Sequence, residues 1–522
     1  MNPLHRGESL SLWLDNIDIP RFGPLTRDVE TDVCVVGAGI AGLTTAYLLM
    51  QEGKRVCVIE SYEIGSGQTG RTTAQFSNVL GERYFNLEKL HGKKGAGLIA
   101  ESHRAAIEKV FEIIRTEKIE CDFDYVNGYL FCGEKDQFGI LEKEYEAVHR
   151  AGLNDVILND QAPYLLFPRQ AQLHPLKYLA GLAECLRKGG VQIYTQTYAD
   201  EFKGGTNSYV RTREGHKIHA PQIVVATNSP VNDIFAIHTK QYAYRSYVMA
   251  FRIPEKELEK ALYWDTTDPY HYVRLESSDV MIVGGEDHKT GQESHPETHY
   301  HDLENWARSK YPFAGEVIYK WSGQVMESMD HLGFLGHNPL DRDNVFVITG
   351  DSGNGMTHAT IGAMLITDQI AGRRNPWEEL YNPSRVLIRA IPTYLKENAN
   401  VAAQYVDWLT PKVAANLSDV PYGQGEVFRQ GTQMIAAYKD EGGYAHLVSA
   451  ACPHLGGIVS WNSAEKSWDC PCHGSRFDCY GKVIEGPAIS DLKVLQMDES
   501  DLHPEKIPLL ETLTGNESAS LA

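Results

Sequence analysis

The chain has 522 residues and a formal net charge of −20, with 42% hydrophobic and 23% charged residues. That length leaves room for two or more domains, and the acidic balance argues against nucleic acid or an anionic membrane as a partner. No stretch approaches eighteen apolar residues, so no membrane span is expected. The nine cysteines show no pairing pattern, and residues 1–27 carry neither an apolar run nor a twin arginine. Both point to a reducing cytoplasm.

Residues 31–36 form a short apolar run of strand type, and Gly37-Ala38-Gly39-Ile40-Ala41-Gly42 follows at once. Helical character runs from Leu43 to Glu52, and a second strand from Arg55 to Ile59 ends on Glu60. This is a βαβ unit with G-x-G-x-x-G at its turn. Gly37 permits the tight turn, Gly39 lets backbone approach a pyrophosphate, and Gly42 lets the helix pack on the strand. The helix N-terminus then faces the diphosphate. Glu60, 23 residues after Gly37, is placed to accept hydrogen bonds from ribose hydroxyls, with Ser61 beside it.

A stretch rich in glycine and hydroxyls follows at 64–74, with Gly67, Arg71, Thr72, Thr73 and Ala74 as candidate cofactor contacts. Residues 191–194 and 197–199 look like a strand pair, ending on Ala199. Residues 222–228 read as a strand ending on Ala226, Thr227 and Asn228. Another strand, 344–349, leads into Gly350-Asp351-Ser352-Gly353-Asn354-Gly355-Met356 and a helical run at 359–370. In this order the motifs resemble the glycine oxidase and D-amino-acid oxidase family of FAD-dependent oxidoreductases. The resemblance implies that 191–199 contacts adenine through backbone. It also implies that the last turn aims a helix N-terminus at the pyrimidine end of the isoalloxazine. Relatives with covalent flavin attach it through a His after the first acidic residue or a Cys nearer the C-terminus. Here Gly70-Arg71 stands at the first place and no Cys lies between 186 and 451, so noncovalent FAD is expected. There is no second G-x-G-x-x-G for a nicotinamide domain.

Segments 80–170 and 235–330 interrupt these motifs, and the resemblance makes them an antiparallel-sheet substrate domain. Tyr242, Tyr244, Tyr247, Tyr270 and Tyr272 are candidates to line a pocket, against the plainer reading of ordinary sheet packing. Amino-acid oxidases of the family carry a carboxylate-binding Arg near the point matched by residues 319–326, which offer none. Arg274 is a possible substitute. The expectation leans toward an amine without an α-carboxylate, and Trp321-Ser322-Gly323-Gln324 resembles γ-glutamylputrescine oxidoreductase-type sequences.

Residues 383–409 show mixed helical periodicity inside a connection at 376–420, too long for a passive linker. Then come Cys452-Pro453-His454, fifteen residues, and Cys470-Pro471-Cys472-His473. C-x-H-x15-C-x-x-H is the ligand spacing of a Rieske [2Fe–2S] centre, two thiolates on one iron and two imidazoles on the other; a structural zinc knuckle is the alternative. The surrounding stretch, with Leu455-Gly456-Gly457, Gly474-Ser475-Arg476-Phe477-Asp478 and Gly486-Pro487, resembles a Rieske domain. Respiratory members carry a second box-one Cys that pairs with the Cys inside box two. Gly457 stands at that position, so Cys472 is expected to be an unbridged buried thiol. High-potential members also donate to the cluster sulfurs from a Ser and a Tyr; Ser475 is present, but Phe477 replaces the Tyr. A lost donor leaves the reduced cluster less stabilised. The potential is therefore expected to fall below that of quinol-oxidising centres, and a redox titration giving a respiratory-type value would contradict this.

The expected architecture is an α/β FAD-binding Rossmann-like domain with an antiparallel-sheet substrate domain, plus a C-terminal all-β Rieske domain. The boundaries are 1–375, a helical linker at 376–420, the Rieske domain at 421–511 and a flexible tail at 512–522. The expected function is oxidation of a small amine or amino-acid-like substrate at the carbon next to nitrogen. Electrons would then pass one at a time through the cluster to an external acceptor. An electron-transfer protein relaying between protein partners is the alternative. His288 is a tempting mononuclear iron ligand, but no full ligand set accompanies it, and no catalytic base is identified.

Overall fold

A computed structural model describes residues 7–15, 17–133, 138–232, 236–408, 417 and 420–495. At its centre six strands lie in the order Phe334–His337, Val345–Thr349, Gln222–Asn228, Val33–Val36, Val56–Ile59 and Gln192–Tyr194. All neighbours run parallel except the first pair. Every residue of Val33–Val36, Val56–Ile59 and Val345–Thr349 is buried. A parallel sheet is covered on both faces, which is why these strands read as unbroken apolar runs. Helices Ile40–Gln51 and Gly355–Ile370 pack against each other on the sheet.

Residues 191–199 depart from the expected strand pair. Gln192–Tyr194 is the edge of the central sheet, while Ala199–Lys203 belongs to a separate four-stranded sheet with Tyr209–Thr212, Lys217–His219 and Val29–Glu30. Side-chain hydroxyls set the turn between them. Thr195 Oγ1 donates to the Phe22 carbonyl (2.6 Å), and Thr197 Oγ1 accepts from the Leu25 amide (3.0 Å).

The second large sheet is mostly antiparallel. Its path runs Val317–Ser328, Gln241–Arg252, Val280–Lys289, Tyr272–Ser277, Leu262–Asp265, Asp124–Phe131, Tyr164–Gln172 and Gln75–Phe76, and Ile157–Asn159 pairs beside Tyr164–Gln172. Its strands come from two stretches of chain, both inside or next to the segments that interrupt the nucleotide-binding motifs.

The C-terminal unit has two small antiparallel sheets. One joins Gln424–Gln430, Gln433–Lys439 and Ala445–Ser449; the other joins Ser460–Asn462, Ser467–Asp469, Arg476–Asp478 and Val483–Glu485. It has a core of its own around Met434, Val448, Trp468, Phe477 and Leu492. Between the units, helix Ile391–Gln404 touches both sides. Asn398 Nδ2 donates to the Thr239 carbonyl (2.9 Å), and in the turn that follows Tyr405 Oη donates to Leu455 O (2.9 Å) and Trp408 Nε1 to Gly456 O (2.8 Å). Residues 409–416, 418 and 419 of the expected linker, 496–511 of the expected Rieske domain and the expected tail at 512–522 lie outside the described residues.

Candidate cofactor sites

The Gly37–Gly42 turn builds the floor of a deep cavity. Gly37 sits at φ 108°, and a Cβ there would meet the Ala226 carbonyl oxygen at 2.4 Å. A Cβ on Gly42 would lie 1.8 Å from the Gly37 oxygen. Glu60 braces the turn: its Oε2 accepts from the Ala38 amide (2.9 Å), while Oε1 accepts from the Tyr62 amide (3.0 Å) and the Ser61 hydroxyl (3.1 Å).

Most of the candidate cofactor residues converge on this cavity. Its wall includes Gly37, Gly39, Ile40, Ala41, Glu60, Ser61, Gly67, Arg71, Thr72, Thr73, Ala199, Ala226, Thr227, Asn228, Asp351, Gly353, Asn354, Gly355 and Met356. Four candidates stand behind it. Ala38 and Gly42 shape the turn from the protein side. Ala74 is fully buried, its carbonyl accepting from Arg274. Gly350 sits at φ 70°, and a Cβ there would meet Phe334 at 3.0 Å.

Trp264, Tyr270 and Tyr272 also line the cavity, together with Ser246, Gln324 and Val325. Tyr242 and Tyr244 lie farther along their strand. Tyr247 points to the opposite face, where it stacks on His299 (centroids 5.1 Å apart) and meets His288 through its hydroxyl (2.9 Å). His288 is thus held in a ring stack and not in a ligand set. Arg274 does not serve as a carboxylate anchor either: it is buried, and its Nη1 donates to the carbonyls of Thr73, Ala74 and Leu173. Asp351 faces the cavity with a buried Oδ1 that has no hydrogen-bond partner, and burial, helped by Glu327, pushes its carboxyl up to about 7.

The two Cys-His boxes meet at the top of the C-terminal unit. Cys452 and Cys470 are buried and hydrogen-bonded to each other, and the rings of His454 and His473 stand 5.1 Å apart at 88°. The Nδ1 of His473 is buried with no hydrogen-bond partner, and burial beside His454 lowers its pKa. Among the described residues no three His, Cys, Asp or Glu side chains converge on one ion. Two thiols on one side and two imidazoles on the other fit a two-iron cluster. Cys472 forms no disulfide, and a Cβ on Gly457 would lie 2.5 Å from its sulfur. Ser475 bonds Cys452 and accepts from the Ala488 amide at 3.0 Å.

The boxes face the flavin-type domain. The His238 ring meets His454 at 4.9 Å and His473 at 5.7 Å, both edge-on. Gln324, in the cavity wall, donates to the Gly474 carbonyl (2.9 Å) directly after His473. Below them lies a buried charge cluster. Glu465 is 3.5 Å from Arg245 and 3.7 Å from Arg71; Arg476 pairs with Asp469 (2.9 Å) and Glu485 (2.8 Å). Glu465 also accepts from Ser322 and Ser9. Burial opposes its charge, but the three arginines outweigh that and hold its pKa at about 2. The Arg71 guanidinium is therefore committed to this cluster. None of these contacts has a local signature in the sequence.

A dinucleotide cavity joined to a paired Cys-His site is the layout of a flavin–iron-sulfur oxidoreductase. Residues 32–369 match the family model of FAD dependent oxidoreductases, DAO, and residues 410–496 match that of the Rieske [2Fe-2S] domain. The chain belongs to this FAD-dependent oxidoreductase family and carries a C-terminal Rieske domain. Its DAO domain binds FAD and its Rieske domain holds a [2Fe–2S] cluster.

YhfW of Bacillus subtilis (strain 168), named for a Rieske 2Fe-2S iron-sulfur protein, is 33% identical over 93% of this chain and 97% of its own. The gamma-glutamylputrescine oxidoreductase of Escherichia coli (strain K12) is 24% identical over 69% of this chain and 88% of its own. Among solved structures, glycine oxidase from Geobacillus kaustophilus shares the fold, with a TM-score of 0.55 at 15% identity over 69% of this chain and 100% of that one. Among the described residues no helix is long and apolar enough to cross a membrane.

The turn geometry yields a direct expectation. Gly42→Ala should force the helix off the Gly37 carbonyl, destabilise the fold by about 2 kcal/mol and lower FAD occupancy. FAD retained after gel filtration and the thermal melt report both. Full retention with an unchanged melt would contradict the packing argument.

Proposed function

We propose that the chain oxidises a small amine lacking an α-carboxylate at the carbon next to nitrogen and passes the electrons through its own Rieske cluster. One observation carries the relay: Gln324 belongs to the cavity wall and hydrogen-bonds Gly474, the residue after a cluster histidine. Cys452, Cys470, His454 and His473 are the cluster ligands in this reading, and the cavity wall holds FAD. Bound FAD would supply a two-electron hydride acceptor, and the cluster a one-electron carrier. Oxidation of the amine to an imine releases two electrons and two protons, and an external acceptor removes the electrons.

The chain's own residues select the substrate. Among the described residues, Arg71 is the one cation in the cavity wall, and Glu465 engages it. A free α-amino acid would find no bidentate partner for its carboxylate. Trp264, Tyr270 and Tyr272 offer π faces that attract an ammonium or an apolar chain. Asp351 adds an acceptor. The amine substrate named for the Escherichia coli relative agrees with this choice. No cysteine lines the cavity among the described residues, which supports FAD held without a covalent bond.

An anaerobic screen of amines and amino acids against the purified protein tests the reading. A substrate amine should bleach the flavin absorbance, and cluster reduction should follow. If only a protein reductant or a nicotinamide reduces the flavin, the amine dehydrogenase assignment falls.

A further inference from the structure

The cavity is not closed by the flavin-type domain alone. Val483, Ile484, Glu485, Gly486, Ala488 and Ile489 of the Rieske domain form part of the same wall as the Gly37 turn and Glu60. This loop is pinned from the other domain. Tyr62 Oη donates to the Val483 carbonyl (2.6 Å), Tyr198 Oη to the same oxygen (3.2 Å), and Arg213 to the Ile489 carbonyl (2.6 Å). Glu485 has one oxygen engaged: Oε1 accepts from Arg476 at 2.8 Å. Its Oε2 is buried without a hydrogen-bond partner, on a side chain 10% exposed. A buried carboxylate oxygen without a donor costs free energy, and native structures seldom leave one so.

We infer that the Rieske loop 483–489 is a wall of the FAD site and that Glu485 accepts a hydrogen bond from an O–H or N–H of the bound cofactor. FAD retention then depends on the docked Rieske domain. Nothing in the flavin-binding motifs of residues 37–74 or 350–356 assigns a cofactor contact to the other domain. The inference rests on the cavity being the FAD site, but not on the substrate, so the amine screen can fail and leave it standing.

FAD release from the full-length holoprotein tests it, followed by the fluorescence of freed FAD, with visible circular dichroism of the cluster recorded in parallel. Glu485→Ala should weaken FAD binding at least about tenfold, since a charge-assisted hydrogen bond is lost. That substitution also unbalances Arg476 and Arg245, so a second variant acts without touching them. A Cβ on Gly486 would lie 3.0 Å from Val231 Cγ1. In the double variant Gly486→Cys with Val231→Cys, oxidation should tie the loop over the cavity and slow FAD release, and a reductant should restore it. Unchanged release in Glu485→Ala with an intact cluster spectrum, or unchanged release on forming the tether, would overturn the inference.

Discussion

Replacing Glu465 by alanine should destabilise the docked chain by about 3–5 kcal/mol, the scale for removing one partner of a buried ion pair. The reason lies in what is left behind. Arg245 is 0% exposed and Arg71 7%, and Glu465 is the nearest carboxylate to both. Without it, Arg71 loses its carboxylate and Arg245 keeps only Glu485 at 3.9 Å, and relief comes most cheaply by undocking. Glu465→Gln keeps the shape and the hydrogen bonds from Ser9 and Ser322 but not the charge, so it should fall between the two. The same residue sets an acid limit. Its folded pKa of about 2 lies below the ordinary 4.5, so its contribution is full above pH 4.5 and is lost as pH falls toward 2. Denaturant midpoints and proteolysis of the 376–420 connection measure both effects. A loss under about 1 kcal/mol for the alanine variant would mean the cluster does not hold the domains together.

Cys470→Ala should separate the two halves of the chemistry. It removes a candidate thiolate ligand, and loss of even outer-shell partners typically costs 10–100-fold in metal affinity. Cluster content should therefore fall at least about 100-fold, with the visible and electron paramagnetic resonance signals of the cluster gone. Substrate should still bleach the flavin, because the cavity wall contains no residue of the two boxes. Turnover with a one-electron acceptor should collapse. Cys472→Ser is the matched control: it lies two residues away, equally buried, beside Gly457 and outside the proposed ligand set. It should keep the cluster. Loss of the cluster in both variants, or in neither, would sink the ligand assignment.

The parts of this protein that a reader can take from its sequence are the local ones. The βαβ turn is legible because tight backbone geometry demands glycine at fixed offsets, as Gly37 and Gly42 show. The two boxes are legible because ligands on adjacent loops must recur at fixed spacing. What stayed hidden depends on distance along the chain. Glu465 looks like any acid in a hairpin until Arg71 and Arg245 arrive from elsewhere. Tertiary placement sorted five tyrosines that looked equivalent: Tyr270 and Tyr272 reach the cavity, while Tyr247 turns away. Arg274 has the right chemistry for a carboxylate, but three backbone carbonyls already occupy it.

The bond from Ser9 Oγ to Glu465 (2.5 Å) joins residues 456 positions apart. A ribosome adding about 5–20 residues per second emits the second partner roughly 20–90 s after the first. Through that interval the N-terminal segment waits without its mate, and Arg71 waits with it. This joint therefore waits for synthesis of the C-terminal unit, whatever the speed at which the earlier domain folds.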